Sequence, residues 1–90
     1  HSATIGNNTL IGIGSIILSG AVIGEDCVVG AGALVTGGKK FPPRSMILGS
    51  PAKVVRKLTD AEVQKNRDIA AHYRLVASHA EADYQDSETV

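Results

Sequence analysis

Residues 3–50 read ATIGNN, TLIGIG, SIILSG, AVIGED, CVVGAG, ALVTGG, KKFPPR and SMILGS, eight units of six. The third place of each unit is Ile5, Ile11, Ile17, Ile23, Val29, Val35, Phe41 or Ile47, always apolar, and the first place is small except at Lys39. A period of six does not close on the 3.6-residue helical turn, so one helix face cannot hold these aliphatics. Strand alternation alone does not require a small residue at every sixth place either. The hexapeptide period reads instead as a parallel β-helix in which short strands alternate with turns. Three units then make one triangular coil, residues eighteen apart stack, the large aliphatic points inward and the small residue fits the corner. Gly6, Gly12, Gly24 and Gly30 follow the inward residue, and glycine suits tight backbone bends.

The same phase assigns the outward places. Ile16, Leu18, Leu34 and Thr36 share one side, and three large aliphatics facing away from a core mark an interface. Leu10, Val28 and Met46 share a second side, a seat for a helix or another subunit. Thr4, Val22 and Lys40 share the third, the most solvated.

Ninety residues allow one domain, and 43% apolar with 3% aromatic residues suits a narrow aliphatic core. Nine basic residues balance nine acidic ones without a basic run, which argues against nucleic acid or an anionic membrane as partner. No apolar run has the length of a membrane span, and the single cysteine excludes an internal disulfide. A cytoplasmic protein is the expectation.

The chain divides into three parts: residues 1–58, hexapeptide coils and an exit segment; 59–84, a C-terminal α-helix on the outside; and 85–90, a frayed tail. Pro42 and Pro43 loosen the repeat, Ser45–Ser50 closes it, and Pro51 turns Gly49–Leu58 out along the exterior. Thr59 and Glu62 have capping-box spacing, and Val63, Ala70, Tyr73, Ala77, Ala80 and Tyr84 form a weak apolar stripe suited to lie on a flat sheet. Such a helix spans about 35 Å. Fewer than three coils stack to only about 10–15 Å. The mismatch leads us to expect the C-terminal portion of a longer β-helix whose earlier coils are absent.

The succession HSATIG (1–6), IGIGSIILSGAVIGEDCVVGAGALVTGGK (11–39), P-x-x-S-M-I-L-G-S-P-A-K-V-V-R (42–56) and AAHY (70–73) resembles the C-terminal half of the γ-class carbonic anhydrase-like family over residues 1–84. The resemblance implies an all-β solenoid, a left-handed parallel β-helix followed by a long C-terminal α-helix, assembled as a homotrimer. It also implies a divalent metal, zinc or else iron or cobalt, held between subunits by three histidines. His1, just before the T-I-G unit, is similar to the last of the three. The other two ligands and the assisting catalytic groups would precede this chain, so the fragment alone is expected to be inactive. Such a metal lowers the pKa of a bound water toward about 7 and supplies hydroxide for the hydration of carbon dioxide to bicarbonate.

Other residues have plainer readings. Cys27 holds a small corner place and reads as a structural thiol rather than a nucleophile. His72 and His79 read as solvated helix residues. Tyr73 reads as a residue of the apolar stripe, with contact to a neighbouring subunit's site as the alternative. Lys39, Lys40, Lys53, Arg56 and Lys57 read as solubilising. Two further functions stay open: a hexapeptide acyltransferase using acyl-coenzyme A with a histidine base, and a non-catalytic trimeric scaffold.

Overall fold

Three parallel sheets carry the repeats in the computed structural model, which describes residues 2–87 and, for side chains, residues 2–73. Seven two-residue strands come first: β1 (Thr4–Ile5), β2 (Leu10–Ile11), β3 (Ile16–Ile17), β4 (Val22–Ile23), β5 (Val28–Val29), β6 (Leu34–Val35) and β7 (Lys40–Phe41). They are followed by β8 (Ser45–Gly49), β9 (Ala52–Lys57) and the helix α1 (Asp60–Ser87). The first sheet is β1-β4-β7, the second β2-β5-β8-β9 and the third β3-β6. Thr4 pairs with Val22 and Val22 with Lys40, Leu10 with Val28 and Val28 with Met46, and Ile16 with Leu34. Every parallel partner thus lies eighteen residues away, the spacing of three hexapeptides, and the chain visits the three sheets in turn.

Burial follows the phase of the repeat and then the position along the stack. Ile23, Val29, Val35, Phe41 and Ile47 are buried with the corner residues Ala21, Cys27 and Ala33. Ile5 and Ile11, with the same inward place, are 46% and 39% exposed. Among the described residues their strands have a neighbour on one side only, so the rung that should cover them is not formed by this segment.

Backbone hydrogen bonds join the rungs, as from Gly6 N–H to the Ile23 carbonyl at 2.8 Å and from Gly12 N–H to the Val29 carbonyl at 2.7 Å. At Gly6, Gly12 and Gly24 the rungs approach so closely that an added Cβ would lie 2.4–2.6 Å from a backbone nitrogen of the next coil. These glycines are therefore needed for contact between coils. The bends fall elsewhere, at Gly14, Gly20, Gly32 and Gly38 in the turns, where φ is positive.

Hydroxyl and thiol groups at the small places add a second set of ties. The Thr9 hydroxyl donates to the Gly24 carbonyl at 2.8 Å and accepts from Cys27 N–H at 3.1 Å, and the Ser15 hydroxyl donates to the Gly30 carbonyl at 2.9 Å. Small size brings the side chain into the corner, and a terminal donor lets it satisfy a carbonyl there.

The exit segment departs from the sequence reading. Gly49–Leu58 does not simply run along the exterior: β9 folds back antiparallel on β8, with Ser45 opposite Lys57 and Gly49 opposite Ala52, through an irregularity between Met46 and Ile47. Ala52 is buried and Val54 and Val55 are 43% and 54% exposed. The helix then starts with a closed capping box, Thr59 N–H donating to the Glu62 carboxylate at 2.8 Å and Glu62 N–H to the Thr59 hydroxyl at 3.1 Å. It continues to Ser87, so Gln85–Ser87, read as tail, are helical; residues 88–90 and the side chains of Ala77, Ala80 and Tyr84 lie outside the described set.

Two substitutions test this architecture. Ile23→Asp puts an unpaired carboxylate into the aliphatic stack, and we expect no cooperative unfolding transition by circular dichroism. Gly24→Ala forces a Cβ to within 2.6 Å of the Pro43 nitrogen. It should fold but lose about 1–3 kcal/mol in urea unfolding, because backbone on both sides must shift.

Candidate functional site

The three corners of the coil differ in chemistry. Between the second and third sheets the turns are Ile13–Gly14 and Ala31–Gly32, and between the third and first they are Ser19–Gly20 and Gly37–Gly38. Between the first and second they are Asn7–Asn8, Glu25–Asp26 and Pro43–Arg44. In that last corner the left-handed backbone falls on Asn8, Asp26 and Arg44, with φ of 60°, 57° and 63°, where the other corners use glycine. Asn and Asp tolerate this conformation, whereas an arginine does so at a cost of about 1–2 kcal/mol. At two of these positions, Asp26 and Arg44, the side chain fastens the helix.

The fastening is ionic. Arg44 reaches Asp60 in the first turn of α1, and the Leu58 N–H donates to the Arg44 carbonyl at 2.8 Å. One coil along the same corner, Arg67 grips Asp26 with Nε and Nη2 at 3.0 and 2.8 Å. The Asp26 side chain is 3% exposed and that of Arg67 50% exposed. The Arg67 guanidinium holds the Asp26 carboxyl below its ordinary value of 3.8 although burial pushes the other way. Arg56, read from the sequence as solubilising, makes a two-pronged contact with Glu62 at 2.8 and 2.7 Å. That contact, with the Thr59 amide, pulls the Glu62 carboxyl down to about 2. The pairing of Asp26 with Arg67 was not apparent in the sequence, since 41 residues separate them. A recognisable signal was present all the same: Asp26 stands where the neighbouring repeats place glycine.

His1 lies outside the described residues. Its column in the repeat continues through Ser19 and Gly37, both exposed, at the corner between the third and first sheets. That corner is narrow, since a Cβ on Gly37 would come within 2.9 Å of the Ser19 carbonyl oxygen. Beside it the third sheet exposes Ile16 by 56% and Leu18 by 42%, with Leu34 and Thr36 half-buried and Ile13 91% exposed at the far corner. The outward aliphatic face expected of Ile16, Leu18 and Leu34 is therefore formed. Among the described residues no three His, Cys, Asp or Glu side chains converge as metal ligands. The described residues do not by themselves supply a donor set that fits a metal.

The remaining candidates separate clearly. Cys27 is fully buried, and its thiol donates to the Pro42 carbonyl at 3.2 Å, the role that hydroxyls play at Thr9 and Ser15. His72 and Tyr73 are exposed neighbours with ring centroids 6.0 Å apart. Tyr73 is 64% exposed, so the expected place in a buried stripe is not realised within the chain, whereas Val63 is 4% exposed. The side chain of His79 is outside the described set. Lys39, Lys40, Lys53 and Lys57 are exposed.

On the second sheet, Leu10, Val28 and Met46 face Leu58 and Ile69 across an open cleft of about 330 Å³. Glu62, Lys65 and Asn66 of α1 stand along the same cleft. The helix is gripped at the corner and lies over the sheet without filling the space between.

Residues 2–37 match the model of the family described as bacterial transferase hexapeptide (six repeats). A carbonic anhydrase of Geobacillus kaustophilus is 52% identical over 73 residues, 81% of this chain and 40% of that protein. The carnitine operon protein CaiE of a Proteus species is 40% identical over 74 residues, 82% of this chain and 38% of that protein. The crystal structure of a hexapeptide transferase family protein from Anaplasma phagocytophilum superposes with a TM-score of 0.80 at 34% identity, covering 88% of this chain and 48% of that one. The chain thus spans about two fifths of the length of these curated relatives. No helix among the described residues is long and apolar enough to cross a membrane.

Acid titration tests the fastened corner. Asp26 has a depressed folded-state pKa, so its stabilisation is complete well above 3.8 and is lost as pH falls through the lower folded value. The melting temperature should hold down to about pH 5 and drop below about pH 4. Arg67→Ala leaves the carboxylate buried and unpaired, and we expect a loss of about 1–3 kcal/mol at pH 7. Without its partner Asp26 should titrate above its unfolded value, so the gap between variant and wild type should narrow as pH falls from 7 toward 5. A gap independent of pH would show that Arg67 acts only through its aliphatic stem.

Proposed function

We propose that this hexapeptide-repeat chain, similar to γ carbonic anhydrases, belongs to a whole protein that is a cytoplasmic, trimeric, metal-dependent lyase for the reversible hydration of carbon dioxide. What supports the reading best is the degree of identity to the Geobacillus kaustophilus carbonic anhydrase, 52% over 73 residues against 40% over 74 residues for the Proteus CaiE protein. A 73-residue match cannot be confined to the part of the chain before α1, which begins at Asp60, so it includes helix as well as coil. The hexapeptide model stops at residue 37 and is silent on the helix.

In this proposal the coils wind left-handed and the third sheet faces a second subunit. Ile16, Leu18 and Leu34 would be covered there, next to the corner formed by Ser19 and Gly37, whose column in the repeat includes His1. Removing such aliphatics from water favours association at about 25 cal/mol per Å² buried. His1 would be one of three imidazole ligands shared across that contact, and the bound zinc, iron or cobalt would supply the Lewis acidity for hydration. The chain's own part would be to contribute the His1 imidazole and, through Ile16, Leu18 and Leu34, to keep water from the contact.

A second reading has its own support. The family description and the Anaplasma phagocytophilum protein both name transferases. An acyltransferase of this fold would bind acyl-coenzyme A along the coils and would need no metal.

The two readings part experimentally. Metal content, carbon dioxide hydration and coenzyme A binding are measured on the whole protein and its His1→Ala variant. We expect metal in the unaltered protein, and loss of metal and hydration together in the variant while the oligomer persists. Full metal retention in the variant would sink the ligand assignment, and coenzyme A binding without a metal requirement would favour the transferase. Separately, Leu34→Glu should convert the trimer to monomers by light scattering, since the contact would bury an unpaired carboxylate.

A further inference from the structure

We propose that the cleft between α1 and the second sheet is a binding site for a small amphiphilic carboxylate, an aliphatic chain of about eight to ten carbons ending in a carboxyl group. It is independent of the proposed hydration site, which would adjoin the third sheet rather than the second.

The chain length follows from the space. The cleft measures about 330 Å³, at the lower end of cavities that hold small organic ligands. Its two walls are aliphatic: Leu10, Val28 and Met46 on the sheet, half-buried, and Ile69 opposite, also half-buried. Half-buried aliphatics facing each other across open volume gain by burying an apolar body between them. Ordinary side-chain collapse does not close the gap, because Arg44 and Arg67 tie the helix to the corner at Asp60 and Asp26 and so set its distance from the sheet.

The sign of the head group follows from the charges along the helix wall. Two ionisable groups stand there, Glu62 and Lys65. The Glu62 carboxylate is already engaged by both arms of Arg56 and by the Thr59 amide, so its charge is offset. Lys65 is exposed and makes no ion pair among the described residues, and Asn66 beside it is half-buried with an amide group to donate. An incoming carboxylate therefore finds an unengaged cation and an amide donor, whereas an ammonium head would meet only an engaged acid. Hydrogen bonds to charged groups are the stronger ones, enough for about tenfold in affinity.

The test uses the purified chain with octanoate, octanol and octylamine, each below its aggregation concentration, followed by calorimetry and by the chemical shifts of the Val28 and Ile69 methyl groups. Octanoate should bind saturably in the micromolar to low millimolar range, about tenfold more tightly than octylamine, and shift both methyl groups. Lys65→Ala should reduce octanoate to the level of octanol and leave octanol unchanged. Leu10→Trp should fill the cleft and weaken all three. If that variant misfolds by circular dichroism, the head-group comparison and the Lys65→Ala result decide alone. No saturable octanoate binding, equal affinity for the amine, or an unaltered response in Lys65→Ala would each overturn the proposal. None of these outcomes bears on carbon dioxide hydration, so failure here leaves the proposed lyase reading untouched.

Discussion

The parallel rung with its eighteen-residue register is the constraint on which the rest of this structure depends. Two-residue strands such as β4 and β5 have almost no pairing energy of their own, and they hold only because the same residue types recur directly above and below. Once that register is set, every side chain's direction is set with it. The inward place must be aliphatic, the corner place small, and the place after the inward residue glycine wherever a Cβ would strike the next coil, as at Gly24 against Pro43. A single slipped rung would bring all of these into conflict together.

That constraint explains what could be read from the sequence. The three sheets, their register and the two classes of face follow from a period of six, because the period encodes contacts between neighbours in the stack. The capping box at Thr59 and Glu62 is equally local and equally legible. The β8-β9 hairpin was missed because its strands do not continue the repeat. Lys53, Val54, Val55 and Arg56 have the alternation of neither a half-buried strand nor a helix, and an irregularity interrupts the pairing. The grip of Arg67 on Asp26 was missed because exposed-looking charges in a turn and on a helix carry no mark of each other. Only the absence of glycine at Asn8, Asp26 and Arg44 hinted that one corner differs.

The candidate site was legible to a different depth. The aliphatic face around Ile16, Leu18 and Leu34 follows from the phase of the repeat and is present. His1 came only from family resemblance, since one imidazole at a corner has no distinguishing spacing, and it lies outside the described residues. Cys27 shows how one place in the repeat can be filled by different chemistry. Threonine, serine and cysteine all fit the corner and all offer a donor to a carbonyl of the same or the next coil. The thiol's burial and its hydrogen bond make it a structural equivalent of those hydroxyls.

The reversal of chain direction at β9 governs how copies of this coil can meet. A stack of parallel rungs is a template that another identical stack could extend, strand upon strand, into a fibre. On the second sheet that route is closed, because β8 is already paired with an antiparallel strand whose outer edge cannot continue the eighteen-residue register. On the first sheet the last strand, β7, has a lysine outward and runs directly into Pro42 and Pro43, which lack the amide hydrogens a further rung would need. At this end of the coil the hairpin therefore shields the second sheet from addition, and the two prolines shield the first.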